Sequence, residues 1–353
     1  MPARLVEFAH RDVGADVLVV TNMWPDDDWP VYGIFVKRQV DSLRERGVRC
    51  DVLYIRGYRS SLAYPLAVIR LALAGLTWRG RYKLVHVHAG ETALAARFFV
   101  GPPLVVSYCG DDVLGNPDDE GVASRASACR SALIRTHAHL ASATITKSRE
   151  MAQRMPPAVQ RKNTVIPNGV DGRLFAPVER DEARRRLGWD RDERVALFAA
   201  TKPDNPRKRR VLAEEVVADV NARGLRVRLH VSGLTPPDEM PLVMSAADCL
   251  LHVSSLEGSP NVVKEALMCN LPVVATPSGD IAQLLDGVKP SHLCPPDPAV
   301  LADALQEVLS EPRRSNGRAR IEHVLSAEAT ADRVLALYER LLEPRPTAAP
   351  VGA

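Results

Sequence analysis

The chain lacks the marks by which several function classes announce themselves. Its six cysteines stand alone at 50, 109, 129, 249, 269 and 294, with no CxxC pair and no knuckle spacing, which excludes a sequence-local zinc ribbon and a redox dithiol. Scattered single cysteines are the usage of a reducing compartment, so a cytoplasmic location is expected, with the inner face of a membrane as a variant of it. No run reaches the roughly 18 apolar residues of a membrane span. The nearest, LAYPLAVIRLALAGLTW (62–78), is interrupted by Arg70 and reads first as a buried helix. The N-terminal MPARLVEFAHRDVGADVLVV has no basic start leading into an apolar core, so no secretory signal is expected. A net charge of +3 is too small to imply a nucleic-acid partner. No G-x-G-x-x-G follows an early strand, which disfavours a dinucleotide-binding reading, and no fixed-period repeat is present.

What is there is an alternation. Hydrophobic residues make up 46% and charged residues 25% of 353, the proportions of a globular chain long enough for two domains. Short Val/Ile/Leu-rich runs at 15–22, 50–55, 83–89, 103–109 and 143–148 read as strands. Longer helical patterns separate them, such as FVKRQVDSLRERG (35–47) and SRASACRSALIRTHAHLA (124–141). Continuous apolar strands alternating with helices predict a parallel sheet covered on both faces. The pattern restarts after VIPNGVDGRLFAPVERDE (165–182), with strands at 194–200, 227–233, 249–255 and 272–277 and helices at 208–224 and 298–310. The expected fold is α/β, two doubly wound Rossmann-like domains facing a cleft. The boundaries are 1–172 for the first domain and 173–325 for the second. A helix over 326–343 should return to the first domain, and 344–353 should be a disordered tail.

In such sheets ligands sit beyond the carboxyl ends of the strands. Three distinctive segments fall there: NMWP after 15–22, CGDD after 103–109, and SSLEGSP after CLLHV. In the last, Ser259 is a candidate helix cap and Pro260 a first helical residue. A helix start offers free N–H groups and a positive dipole end, an anion site suited to a diphosphate. Glu257 and Glu265 bracket the turn. Carboxylates do not bind phosphate but accept hydrogen bonds from hydroxyls, so a ligand with phosphates between two hydroxylated groups fits. A capped surface helix with ordinary charges is the plain alternative.

The stretch EGSPNVVKEA (257–266), its following PVVAT strand and Gly279-Asp280 resemble glycosyltransferase family 4, whose signature is two glutamates separated by seven residues. NMWP…GIFVKRQVDSLRERG, VIPNGVD (165–171) and DNPRKRRVLAEEVV (204–217) resemble its first loop and helix, its interdomain linker and its lysine-bearing segment. The resemblance implies a GT-B fold and retaining transfer of a sugar from a nucleotide-diphosphate sugar to a hydroxyl acceptor, in carbohydrate biosynthesis. It implies that Glu257 contacts the donor sugar, that Glu265 binds the ribose, and that Lys208 neutralises the diphosphate. Backbone around Gly258, Ser259, Pro260 and Asn261 would hold the donor, and Gly33 would let the first loop approach diphosphate and acceptor. Lys202 or Arg207 would stand in for an arginine that many relatives carry before the lysine. Cys109 replaces a histidine of many relatives, and a non-catalytic sugar-nucleotide-binding chain or partner subunit is therefore the alternative. Cys109, Asp111, Asp112 and His88 are candidates for the acceptor side. No cofactor and no essential metal are implied, so Asp26-Asp27-Asp28, Asp111-Asp112 and the His86/His88 pair carry no metal expectation. The 62–78 segment with Arg56, Arg59, Arg79 and Arg81 could rest on a membrane surface.

Overall fold

The fold is described from a computed structural model covering residues 5–78, 80–116 and 124–343. Arg79 and the segment 344–353 lie outside the described residues. The first sheet contains β1 (Val6–His10), β2 (Val17–Thr21), β3 (Cys50–Ile55), β4 (Leu84–His88), β5 (Leu104–Ser107), β6 (Ala143–Thr146) and β7 (Asn163–Val165). Their order is β1-β3-β2-β4-β5-β6-β7, parallel except for β1, which runs antiparallel to β3 at the edge. The second sheet contains β8 (Arg194–Phe198), β9 (Val227–Val231), β10 (Cys249–His252), β11 (Val273–Ala275) and β12 (His292–Leu293), ordered β12-β11-β10-β8-β9 and parallel throughout.

Leaving out β1, both sheets have the same winding: the second strand flanks the first on one side and the third flanks it on the other. The order reverses between β2 and β4 in one sheet and between β8 and β10 in the other, and crevices open at such reversals. Thr21 lies opposite His88 in register, so the loops after β2 and β4 leave the first sheet side by side.

Each sheet is apolar on both faces, as buried parallel strands must be. In the first domain one face packs Leu18, Leu53 and Val87 against helices that include Ala63–Thr77 and Arg125–His137. The other face packs Val19, Val52 and Ile145 against Ile34–Glu45 and the terminal helix Ala327–Leu342. That terminal helix contributes Ala331, Val334, Leu337 and Tyr338, so the end of the chain completes the first core. Its anchor is polar as well: Tyr338 is hydrogen-bonded with His86, whose other ring nitrogen meets Ser107. The chain crosses between domains twice, and the crossings are tied together. Val170 N–H donates to Leu325 O and Ala327 N–H donates to Val170 O, each at 2.8 Å.

Three expectations about local structure are corrected. The antiparallel edge strand β1 was not expected, because its VEFAH sequence mixes charge into a short run. The helix expected from 208 begins at Arg210, because Arg209 is left-handed and Lys208 closes a 3-10 turn, Pro206–Lys208. Ser259 is not a helix cap: the helix is Asn261–Met268, with Pro260 in the cap position and no side-chain cap bond.

Candidate functional site

The two crevices face each other and enclose a cavity of about 550 Å³ lined from both domains. Its first-domain wall is the loop after β2. Gly33 there has φ 71°, and a Cβ at that position would lie 2.2 Å from the Met23 carbonyl carbon, so only glycine permits the turn. The turn launches the helix Ile34–Glu45, whose Ile34 and Arg38, one turn apart, both line the cavity.

The second-domain wall is the loop after β10. Glu257 points inward, and its Oε1 accepts from Lys208 Nζ at 2.6 Å, with His252 Nε2 at 3.9 Å. Burial alone would raise this carboxyl. Lys208, His252 and Arg207 outweigh that and hold it down at about 2. His252 is kept neutral, chiefly by burial, at about 4. The lysine turn is fastened to the glutamate loop by Ser255, whose N–H and hydroxyl both donate to Arg207 O. Arg207 and Lys202 also line the cavity, and Lys202 lies 4.6 Å from the Trp29 ring centre across the cleft.

Glycines let the loops close. Gly258 has no room for a side chain, since a Cβ would lie 2.9 Å from Met151 Sδ and 3.2 Å from Gly110 Cα, so the two domains meet there backbone to backbone. Gly279 has φ 58°, and its Cβ would lie 2.7 Å from both Glu257 O and Gly258 O. The following Asp280 accepts from Ser259 Oγ at 2.7 Å. Fully buried Lys264 donates to Ser259 Oγ and to Asn168 O of the linker, and burial lowers it to about 8. Asn168 also bonds Asn261 at 3.2 Å, so the helix start is held by the hinge. Its uncapped first turn leaves Gly258–Asn261 on the cavity wall with amides available to an anion.

Glu265 lies one turn into the same helix and faces both this cavity and a smaller adjoining one of about 130 Å³. It is paired with Arg38 at 2.9 Å.

The structure thus brings together Glu257, Lys208, Gly258, Ser259, Pro260, Asn261, Glu265, Lys202, Arg207, Gly33, Cys109 and Asp111 around one cavity. His88 and Asp112, candidates for the acceptor side, are not on its wall. Asp112 is buried, and its carboxylate accepts the backbone N–H groups of Gly90, Cys109, Gly110 and Val113; burial and Asp111 push it up to about 6. It shapes the loop behind the cleft. His88 is buried with Nδ1 unpartnered, and burial keeps it neutral. Burial likewise raises the Cys109 thiol, so it stays protonated. Asp26 is occupied by Tyr58 and Arg56. Among the described residues no group of three or more His, Cys, Asp or Glu converges as a metal site.

The family model described as "Glycosyl transferases group 1" matches residues 191–311, and that of the "Glycosyl transferase 4-like domain" matches residues 5–169. The chain belongs to the group 1 glycosyltransferases. It is 28% identical over 309 residues to a D-inositol 3-phosphate glycosyltransferase of Catenulispora acidiphila, spanning 75% of this chain and 73% of that one. It is 25% identical over 207 residues to an MMP alpha-(1->4)-mannosyltransferase of Mycolicibacterium hassiacum, spanning 50% of this chain and 48% of that one, about half its length. Among solved structures it resembles a sucrose-phosphate synthase of Thermosynechococcus elongatus, with a TM-score of 0.76 at 19% identity over 92% of this chain and 99% of that one. That likeness concerns the two-domain fold.

Sequence reasoning missed one residue on the wall of this glycosyltransferase's cleft, Arg38, and two buried residues that support it, His252 and Lys264. For Arg38 the available signal was its spacing, one helical turn after Ile34 and five residues after Gly33, whereas Lys37 is turned outward to Asp41. Lys264 was flagged only by a charge between the buried positions Val263 and Ala266.

Proposed function

We propose that the chain moves a sugar from a nucleoside-diphosphate sugar to a hydroxyl acceptor, with retention at the anomeric carbon. The observation that carries this reading is the Glu257–Lys208 pair set against an uncapped helix start, with Glu265 farther along the same helix. Charged and hydroxylated ends of a sugar nucleotide find complementary groups in that order. Lys208 and the amides of Ser259 and Asn261 neutralise charge as the diphosphate departs, Glu257 orients the sugar, and Glu265 holds ribose hydroxyls. In a front-face route the departing phosphate takes the acceptor's proton, so no protein base is required. The relatives' names, an inositol-phosphate glycosyltransferase and a mannosyltransferase, agree with this class. Substituting Glu257→Ala or Lys208→Ala should each lower turnover about a hundredfold, the scale of a lost electrostatic stabiliser. Unchanged turnover in both would sink the assignment.

The acceptor belongs on the first-domain side, where Cys109 and Asp111 line the cavity, and a membrane-held acceptor fits that domain's surface. No helix among the described residues is long and apolar enough to cross a membrane. Leu66, Ile69, Leu73 and Leu76 of the helix Ala63–Thr77 are nevertheless exposed, together with Leu62 just before it, at four- and three-residue spacing. That is one continuous apolar stripe, beside exposed Phe98 and Val100. Flotation with anionic vesicles should carry the protein and fail for Leu66→Glu/Leu73→Glu; absence of the wild-type protein from the vesicle fraction would remove the membrane contact.

A further inference from the structure

Glu265 and Arg38 are 227 positions apart in sequence and come from different domains, yet they form one ion pair across the cleft. Each side chain is only 17% exposed. A carboxylate that buried is costly unless paired, and its cheapest escape is to take up a proton. Protonation would convert an acceptor of two hydroxyls into a mixed donor and acceptor. A cation in contact is what keeps such a carboxylate ionised.

The groups facing it are few. Arg38 approaches from the helix Ile34–Glu45, Lys264 lies beside it on its own helix, and Cys269 follows that helix. Lys264 is already committed to Ser259 and Asn168. Cys269 is a buried thiol and adds no positive charge. Lys202, Arg207 and Lys208 line the same cavity, but Lys208 is held by Glu257 and Lys202 lies over Trp29. Arg38 is thus the cation in contact. Its guanidinium also lies 5.1 Å from the Phe175 ring centre, just after the linker, which fixes its direction. The pair uses Oε1 of Glu265, and Oε2 has no protein partner among the described residues.

We infer that Arg38 is a positioning residue for donor binding: it keeps Glu265 ionised and aimed into the cleft, with Oε2 left for a ribose hydroxyl. This rests on the proposed donor site and adds to it a contribution from the first domain. Ribose engagement then needs both domains at once, so nucleotide affinity is coupled to the domain arrangement. Burial pushes the Glu265 carboxyl up, and Arg38, with Lys264, opposes that rise without reversing it.

The test separates the ionisation from the nucleotide. In the ligand-free protein, the carboxyl stretch of isotope-labelled Glu265, assigned by difference against Glu265→Gln, is followed by infrared spectroscopy from pH 4 to 8. The expected result is an ionised Glu265 at pH 7 in the wild type and a midpoint at least one pH unit higher in Arg38→Met. Arg38→Lys should restore most of the difference, and Lys37→Met should change nothing. In parallel, binding of UDP, GDP and ADP is measured against pH. For the nucleotide that binds wild type, Arg38→Met should lose affinity as pH falls, by up to about tenfold per pH unit below the raised midpoint.

A protonated Glu265 in the wild type at pH 7 overturns the inference. So does an unshifted midpoint in Arg38→Met or, should that variant not fold, in Arg38→Gln, which likewise removes the charge. An affinity loss equal at every pH also overturns it, because that is what a purely structural role gives. If no nucleotide binds wild type while the midpoint still moves, the donor-site reading falls and the ion-pair role stands.

Discussion

Replacing Lys208 by methionine should unfold the second domain more easily, by an amount that Glu257 itself sets. The Glu257 side chain is 13% exposed and that of Lys208 is 21% exposed, so solvent screening of the pair is modest. The carboxyl lies at about 2 instead of 4.5, a difference worth about 3 kcal/mol between native and unfolded chains. For a carboxyl depressed in the folded state, this contribution is fully present above about pH 4.5 and is lost as pH falls toward 2. Lys208→Met removes the nearest cation and leaves a buried charge, for which a loss of about 3 kcal/mol at pH 7.5 is expected. His252, 3.9 Å from Glu257, supplies a second signature. Lys208 and burial both hold it neutral in the native protein, while Glu257 favours its charged form. Without Lys208 it can protonate and stand in, so the loss should shrink between pH 7.5 and pH 5.5. Urea unfolding at 25 °C of the wild type, Lys208→Met, Glu257→Gln and the double variant measures this directly. The double variant should be more stable than Lys208→Met alone, because an amide needs no counter-charge. A Lys208→Met protein within about 0.5 kcal/mol of wild type at pH 7.5, or a double variant no better than the single, would refute the reasoning.

Two further substitutions probe how the loops are held. Gly279→Ala introduces a left-handed alanine whose Cβ meets two carbonyl oxygens, so a loss of about 1–3 kcal/mol and weaker nucleoside-diphosphate binding are expected from chemical unfolding and calorimetry. Asp112→Ala strands the backbone N–H groups of Gly90, Cys109 and Gly110 and should cost at least about 3 kcal/mol, whereas Asp111→Ala, at the exposed rim of the same turn, should leave unfolding within about 0.5 kcal/mol of wild type.

The periodicities were legible in the sequence because they are local. Each buried parallel strand announces itself by a run of apolar residues, and PAVLADALQEVLS spans the helix observed, Pro298–Ser310, with Asp297 as its cap. The restart of the alternation after 165–182 implies two sheets without reference to any contact. The seven-residue interval between Glu257 and Glu265 is likewise local, because a single loop and helix carry both.

What sequence alone could not decide are the partners. The two neighbours in AspAsp look equivalent in the chain, yet Asp111 faces the cavity while Asp112 gathers backbone amides from two loops. Ser259 reads as a cap, but its oxygen accepts from Lys264 Nζ while its hydroxyl donates to Asp280, brought beneath it by β11 and Gly279. The edge strand β1 exists because β3 offers an open edge, not because VEFAH insists on a strand. Arg38 becomes part of the cleft only when two separately wound sheets are set face to face, closely enough for Gly110 to meet Gly258. Local periodicity fixes which elements form and which face each buries. The charges that matter at the site are paired over 49 residues for Lys208 and Glu257 and over 227 for Arg38 and Glu265, and the second pairing exists only once the domains have packed.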